Sequence, residues 1–208
     1  MSQWIVFGAG KGIGYHLVQY GLQQVHQVIV FILNAKYKTR LTQIGSQVIE
    51  GDACQYSDIK NTLADISNNS IIFSTIGGKS ADLTGNLNII KSAETLNMRR
   101  LLLVTSVGCG DGWKYLSSKA KALFGMSIRH KSMVECYLKT SSLDYTVLRP
   151  GGLLNLPATG NHQRIQLPQI GLVTQQDIAI ELSNIAENKL TYQQTYTVID
   201  PNLSFNMK

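Results

Sequence analysis

The sequence predicts an α/β fold in which a parallel sheet carries helices on both faces. Three observations predict it. Apolar runs of strand length alternate with helical patterns along most of the 208 residues, as in a series of βαβ units. One of those runs, VIVFIL from Val28 to Leu33, is continuously apolar, as expected of a strand covered on both sides. Another, in WIVFGAGKGIG from Trp4 to Gly14, stops at a loop carrying Gly8, Gly10, Gly12 and Gly14 and passes straight into a helical pattern.

In chain order, Ile5, Val6 and Phe7 read as the first strand. Ile13, Leu17 and Tyr20 then recur at i, i+4 and i+7, the helical period. Glycines allow the connecting loop to turn sharply and approach a pyrophosphate, because no Cβ intrudes. The helix that follows directs unpaired N–H groups and the positive end of its dipole at the same point. A tight turn that binds nothing could use the same residues, but four glycines in seven positions directly after the first strand favour the anion site.

Val28–Leu33 is the second strand and Gln47–Ile49 a short third, ending at Gly51 and Asp52; Asp58 then caps a helix through Leu63. A fourth strand, Ile71–Ile76, ends in Gly77 and Gly78 and precedes a helix over Leu83–Leu96 with Leu87, Ile90 and Ala93 on one face. Leu101–Val104, Tyr145–Leu148 and Thr195–Ile199 complete the strands, with helices at about Lys131–Thr140 and Asp177–Glu187. Ligands of such sheets sit at the carboxyl ends of the strands, near the switch in strand order. Gly8, Asp52, Gly77, Thr105 and Ser106 all fall just past a strand. Each alone is common turn or cap punctuation; their shared edge marks a site.

The composition, 44% hydrophobic and 15% charged, suits one domain spanning 1–208. No apolar run approaches the length of a membrane span, and the N-terminus lacks a secretory pattern, so a soluble cytoplasmic protein is expected. Cys54, Cys109 and Cys136 lack metal-ligand spacing, so neither a metal site nor a disulfide framework is expected, and Cys109 reads as a buried thiol. The formal charge of +6 raises the question of nucleic acid, but the basic residues are scattered and sit in no recognition signature. The expected partner is a small-molecule substrate, with no nucleic acid and no membrane. An anionic cofactor can use the positive charge equally well.

The end of the second strand bears on cofactor choice. An NAD enzyme usually places Asp or Glu there to bind the ribose 2′-hydroxyl. Here the positions are Leu33 and Asn34, with no acid until Glu50, while Lys36, Lys38 and Arg40 follow and Lys11 sits in the glycine loop. A 2′-phosphate suits this edge, so NADP(H) is favoured over NAD(H).

FGAGKGIG has the spacing G-x-x-x-G-x-G and resembles the cofactor loop of the short-chain dehydrogenase/reductase superfamily, with Phe7 where Thr is frequent. NIIKSAETLNMRRLLLVTSVG, KSMVECYLKTSSLDYTVLRPGGL and the Gly-Leu-Val segment leading into Gln176-Asp177-Ile178-Ala179 resemble its atypical branch, the NmrA-like and biliverdin reductase B/flavin reductase proteins. That resemblance implies a Rossmann-like doubly wound parallel sheet with a small C-terminal substrate lobe, here about 150–175, and NADP(H) as the usual cofactor. It puts Gly8, Gly10, Lys11, Gly12, Ile13 and Gly14 on the pyrophosphate, with Asn34 and Lys36 at the end of the second strand. Asp52 and Ala53 fall near the adenine, and Thr75, Ile76 and Gly77 beside the ribose. Thr105 and Ser106 would lie near the nicotinamide, Lys131 would reach its ribose in a K-x-x-x-E pattern with Glu135, and Pro150, Gly151 and Gly152 would line the carboxamide end.

The superfamily's catalytic Tyr stands four residues before its Lys; for Lys131 that position is Ser127. A formal Y-x-x-x-K occurs instead from Tyr115 to Lys119, which leaves Tyr115 as a candidate donor, while His130, adjacent to Lys131, points about 100° away from it on a helix, so the two rarely face one ligand. In the biliverdin reductase B group a Ser hydroxyl and solvent suffice, which makes Ser106 the first candidate. The implied activity is an NADP(H)-dependent reductase passing hydride to a small conjugated acceptor such as a flavin, quinone or linear tetrapyrrole. The alternative is an NmrA-like redox sensor that binds dinucleotide without turnover. A sugar-nucleotide epimerase is disfavoured because the segment after Arg149 is short. Within that segment Leu153 to Pro168 covers the pocket, and Gly160, Asn161 and His162 read as turn residues with His162 in solvent.

Overall fold

β1 (Gln3–Phe7) sits at the middle of the molecule because Trp4 to Phe7 are all buried and alternate between the two faces of one sheet. The structure, a computed structural model, describes residues 1–204. Eight strands run in the order β3 (Gln47–Glu50), β2 (Gln27–Ile32), β1, β4 (Ile71–Ser74), β5 (Arg100–Val104), β6 (Asp144–Pro150), β10 (Gln194–Ile199) and β8 (Gln163–Ile165). All are parallel except β8, which pairs antiparallel with β10 at one edge. The strand order reverses between β1 and β4, which creates the crevice where doubly wound sheets bind ligands.

Each face has its own core. Trp4, Val6, Val30 and Phe73 pack with residues of α1 (Gly12–Gln23), α2 (Lys38–Gln43) and α6 (Gln175–Ile185), while Ile5, Phe7, Ile29 and Ile72 pack with α3 (Tyr56–Ala64), α4 (Thr84–Thr95) and α5 (Ser118–Lys139). That double coverage is why these strands read as continuous apolar runs. At the amino edge Arg100 ties α6 to the sheet: Nε donates to Ala186 O at 2.7 Å and Nη2 to Ile185 O at 2.9 Å, holding the last carbonyls of the helix. Burial lowers its pKa to about 10, against the opposing pull of Tyr192 and Asp144.

Several elements differ from the sequence expectation. The helix expected from Lys131 begins at Ser118, where the Ser117 hydroxyl accepts from Ala120 N–H. Its first half shows no apolar period because Leu123, Phe124 and Met126 are exposed and only Gly125 and Ile128 are buried there. Asp58 lies in the first turn of α3 rather than at its cap, Gln55, and its carboxylate accepts from Asp52 N–H. The basic loop after β2 contains α2, anchored by the buried Leu41. Residues 152–174 add β7 (Gly152–Leu154) and β9 (Leu172–Thr174), which pair with each other in parallel, and β8. Strands of three residues carry too little pattern to be read from sequence.

Candidate functional site

The glycine loop owes its shape to close backbone approach. Gly8 has φ +91°, a left-handed conformation that L side chains rarely adopt. A Cβ on Gly14 would run into the Gly8 carbonyl and the Thr75 hydroxyl. The Thr75 hydroxyl in turn donates to Phe7 O at 2.9 Å, which locks the end of β4 against the end of β1. α1 therefore starts tight against the sheet. Its N-cap, Lys11, makes no side-chain capping bond and no acid stands in the first turn, so the leading N–H groups present an uncompensated positive end.

These N–H groups face a cavity of about 590 Å³ at the carboxyl edge, over the β1/β4 switch. Of the expected cofactor residues, Gly8, Gly10, Lys11, Gly12, Ile13, Gly14, Asn34, Asp52, Ala53, Thr75, Ile76 and Gly77 line it. The cavity is also lined by Phe31, Ile32, Leu33, Tyr37, Gly51, Ala81, Leu153, Asn155 and Gln175. The donor set suits a dinucleotide: a side-chain-free cradle at an uncapped helix start for the pyrophosphate, with apolar walls on either side. Gln175 was detectable in principle, since Thr174-x-x-Asp177 is a capping signal that places it in the first turn of α6, where the Thr174 hydroxyl accepts from Asp177 N–H. Tyr37 carries no comparable signal; only folding brings its ring under Gly10.

The remaining candidates lie elsewhere. Lys36 is exposed, its ammonium 5.0 Å from the centre of the Tyr37 ring. Lys38 pairs with Glu50 at 2.7 Å. Arg40 folds back on the loop: Nη2 donates to Gly10 O at 2.6 Å and the guanidinium lies 3.9 Å from the centre of the Tyr15 ring. Thr105 is buried and its hydroxyl donates to Glu135 at 2.6 Å. Ser106 is half-buried, with Gly108 N–H directed at its hydroxyl oxygen at 3.4 Å. Pro150 ends β6, Gly151 is buried and Gly152 opens β7; from that turn Leu153 and Asn155 reach the cavity. Tyr115 stands at the end of a 3₁₀ turn, 52% exposed, next to Lys114.

Two ionic groups back this edge. Glu135, expected beside Lys131, instead binds Thr105 and Arg149, whose Nη1 also donates to Asp111 at 2.5 Å. Burial opposes the charge on Arg149, but its hydrogen bonds to Glu135 and Asp111 and the charges of both carboxylates together outweigh that and raise its pKa. Lys131 lies 3.5 Å from Asp82. Burial, with Glu135 nearby, pushes the Cys109 thiol up to about 11, so it is an inert buried thiol.

His162 corrects an expectation. It is not in solvent: its Nδ1 lies 3.2 Å from Asp177 and its Nε2 3.2 Å from Glu181, with 11% of the side chain exposed. The contact spans 15 to 19 residues, so no local pattern reports it. Among the described residues no group of His, Cys, Asp and Glu could hold a metal ion, and no helix is long and apolar enough to cross a membrane.

A family model for NAD(P)H-binding proteins matches residues 8–189. ChuY, an anaerobilin reductase from Escherichia coli O157:H7, superposes with a TM-score of 0.93 at 40% identity, covering 98% of this chain and 99% of its own. ChuY from E. coli CFT073 superposes at 0.89 with 38% identity over 98% and 100%. The uncharacterized sugar epimerase YhfK of Bacillus subtilis is 23% identical over 206 residues, 94% of this chain and 92% of its own. With its glycine cradle at the switch point and this kinship from end to end, the chain belongs to the NAD(P)H-binding family, in the atypical branch of the short-chain dehydrogenase/reductase superfamily.

Proposed function

We propose that this protein is an NADPH-dependent reductase whose acceptor is a linear tetrapyrrole. The observation that carries the reading is the glycine-walled cavity over the β1/β4 switch, into which an uncapped helix start points; the acceptor class rests on the likeness to ChuY. A reduced nicotinamide bound there supplies hydride to an electron-poor carbon of a conjugated acceptor. The chain's part is to bind and orient. Gly8 to Gly14 hold the pyrophosphate, Asp52 and Ala53 border the adenine, and Thr75 to Gly77 border the nicotinamide ribose. Gly108 N–H points at the oxygen of Ser106, which leaves the hydroxyl proton to orient the acceptor. The segment 150–175 serves as the substrate lobe, with Leu153 and Asn155 closing the cavity.

Preference for NADPH rests on the adenosine end. Leu33 and Asn34 line that part of the cavity without a carboxylate, Lys11 lines it as a cation, and Lys36 and Arg40 stand in the segment just after Asn34, with Arg40 on the Gly10 carbonyl. A fluorescence titration with NADPH and with NADH, followed by biliverdin, FMN and a quinone in the same cuvette, tests both parts. NADPH is expected to bind about tenfold more tightly than NADH, a difference of roughly 1.4 kcal/mol, and the tetrapyrrole to drive its oxidation fastest. Ser106→Ala should keep cofactor binding and lose most turnover. Binding with no acceptor-dependent oxidation would replace the reductase with a dinucleotide sensor, and absence of binding would overturn the cofactor site itself.

A further inference from the structure

We propose that Asp82 is a positioning residue of the cofactor site: its buried carboxylate holds the Lys131 ammonium and the Ser127 hydroxyl behind the Gly77 wall of the cavity. The proposal rests on reading that cavity as the NADP(H) site. Asp82 ends the one-turn 3₁₀ helix Lys79–Asp82 that leads into α4, and it is fully buried. One carboxylate oxygen, Oδ2, accepts from Ser127 Oγ at 2.6 Å. The other, Oδ1, has no hydrogen-bond partner among the described residues and lies 3.5 Å from Lys131 Nζ.

This arrangement is poorly explained by stability. Burying a carboxylate costs several kcal/mol unless its oxygens are fully satisfied, and an apolar residue of similar size usually serves a core as well or better. The chain nevertheless fixes the group in place. Asn86 Nδ2 donates to the carbonyls of Ala81 and Asp82, both at 3.2 Å, and Asn86 Oδ1 accepts from Ser74 at the end of β4. Asp82 is thereby tied to the strand that forms one side of the switch point.

The partners converge from α5. Ser127 and Lys131 stand at i and i+4, on one face of the helix. Lys131 is 16% exposed, and a Cβ on Gly77 would sit 3.3 Å from its Nζ and 3.2 Å from Asp82 Oδ1. The absence of a side chain at Gly77, itself a lining residue, is what brings the ion pair up to the cavity wall. A lysine on four flexible bonds has many rotamers to lose when it is fixed in one place. Asp82 removes most of that freedom before the cofactor arrives and gives the short Ser127 hydroxyl a fixed partner.

The test is a double-mutant cycle on NADPH affinity with Asp82→Asn and Lys131→Met, read by fluorescence, with thermal melting of each variant alongside. Asp82→Asn is expected to weaken NADPH about tenfold, roughly 1.4 kcal/mol, and to have no effect in the Lys131→Met background. The same loss in both backgrounds would reduce Asp82 to a structural tie between α4 and α5 and overturn the proposal. A second measurement uses the wild-type protein without cofactor, its lysines labelled by reductive ¹³C-methylation and observed by NMR. The Lys131 methyl signal should stand apart from those of the exposed lysines; a signal within their envelope means Asp82 does not hold it and overturns the proposal. Failure of the wild type to bind NADPH would overturn the cofactor reading and this proposal with it, whereas binding with additive losses overturns this proposal alone.

Discussion

The glycine loop and the segment 155–165, which approach the same edge of the sheet, are built on opposite plans. From Gly8 to Gly14 the chain works by lacking side chains: Gly14 lies against the Gly8 carbonyl, and the first N–H groups of α1 are left without a cap. The later segment is held by side chains. Asp177 accepts from Thr159 N and Oγ1, from Gly160 N and from Thr174 Oγ1, His162 bridges Asp177 and Glu181, and Arg164 donates to Glu181 at 2.6 Å. Leu156 and Leu167 meanwhile stay exposed. A site for a large anion needs empty volume and free N–H groups, whereas a strap that buries little apolar surface must be anchored by charge.

The strongest test of that contrast is Asp177→Ala. It removes the acceptor of the Thr174 hydroxyl and of two backbone N–H groups and takes one of two carboxylate partners from the Thr159 hydroxyl and from His162, and should cost about 3 kcal/mol in urea unfolding. Limited proteolysis should then cut first between residues 155 and 165. An unchanged midpoint would mean that the strap is held by packing instead.

Gly14→Ala attacks the other plan. The added methyl meets backbone and the Thr75 hydroxyl, so about 1–3 kcal/mol of stability and most of the NADPH affinity should go together. A variant that melts normally and binds NADPH would show that the loop is not close-packed. Arg40→Ala removes the cation stacked on Tyr15 beside the loop. The ratio of NADH to NADPH dissociation constants is expected to fall by about fivefold, near 1 kcal/mol, with little change in melting temperature.

The pH dependence sharpens the comparison further. The hydrogen bond to Glu181 raises the His162 pKa above its ordinary 6.5 against the opposing effect of burial, with the charge of Glu181 and the contact with Asp177 adding to it. A pKa raised on folding stabilises below the unfolded value and loses that contribution as pH rises through the folded one. Unfolding free energy should therefore decline above about pH 6.5, and His162→Gln should flatten the decline. The smallest effect belongs to Glu50→Gln. Its pair with Lys38 is solvent-exposed, so stability should change by less than about 0.5 kcal/mol.

The strand, loop and helix from Trp4 to Tyr20 were legible because their chemistry is local: four glycines, an apolar run and a helical period lie within 17 residues. The expected cofactor residues that line the cavity, from Gly8 to Gly77, are near neighbours of strand ends, which an alternating pattern also locates. Reading stopped where sequence separation grew. Glu135 stands four residues after Lys131 in a suggestive spacing, yet it turns to Thr105 and Arg149, and Lys131 pairs with Asp82 from another element. The first half of α5 escaped because an exposed helix face has no apolar period, leaving only the Ser117 cap as a signal.

By itself the sequence determined the α/β class, the anion-binding turn and the edge of the sheet on which a site would form. Those follow from backbone freedom at glycines and from hydrophobic periodicity, both properties of neighbouring residues. Tertiary structure alone decided that His162 is enclosed rather than solvated, that Asp82 stands behind Gly77, and that the Tyr37 ring lies against Gly10 in the cavity wall. A side chain's charge partners and burial depend on which distant elements pack together, and the same residue in the same local pattern can face water or a carboxylate.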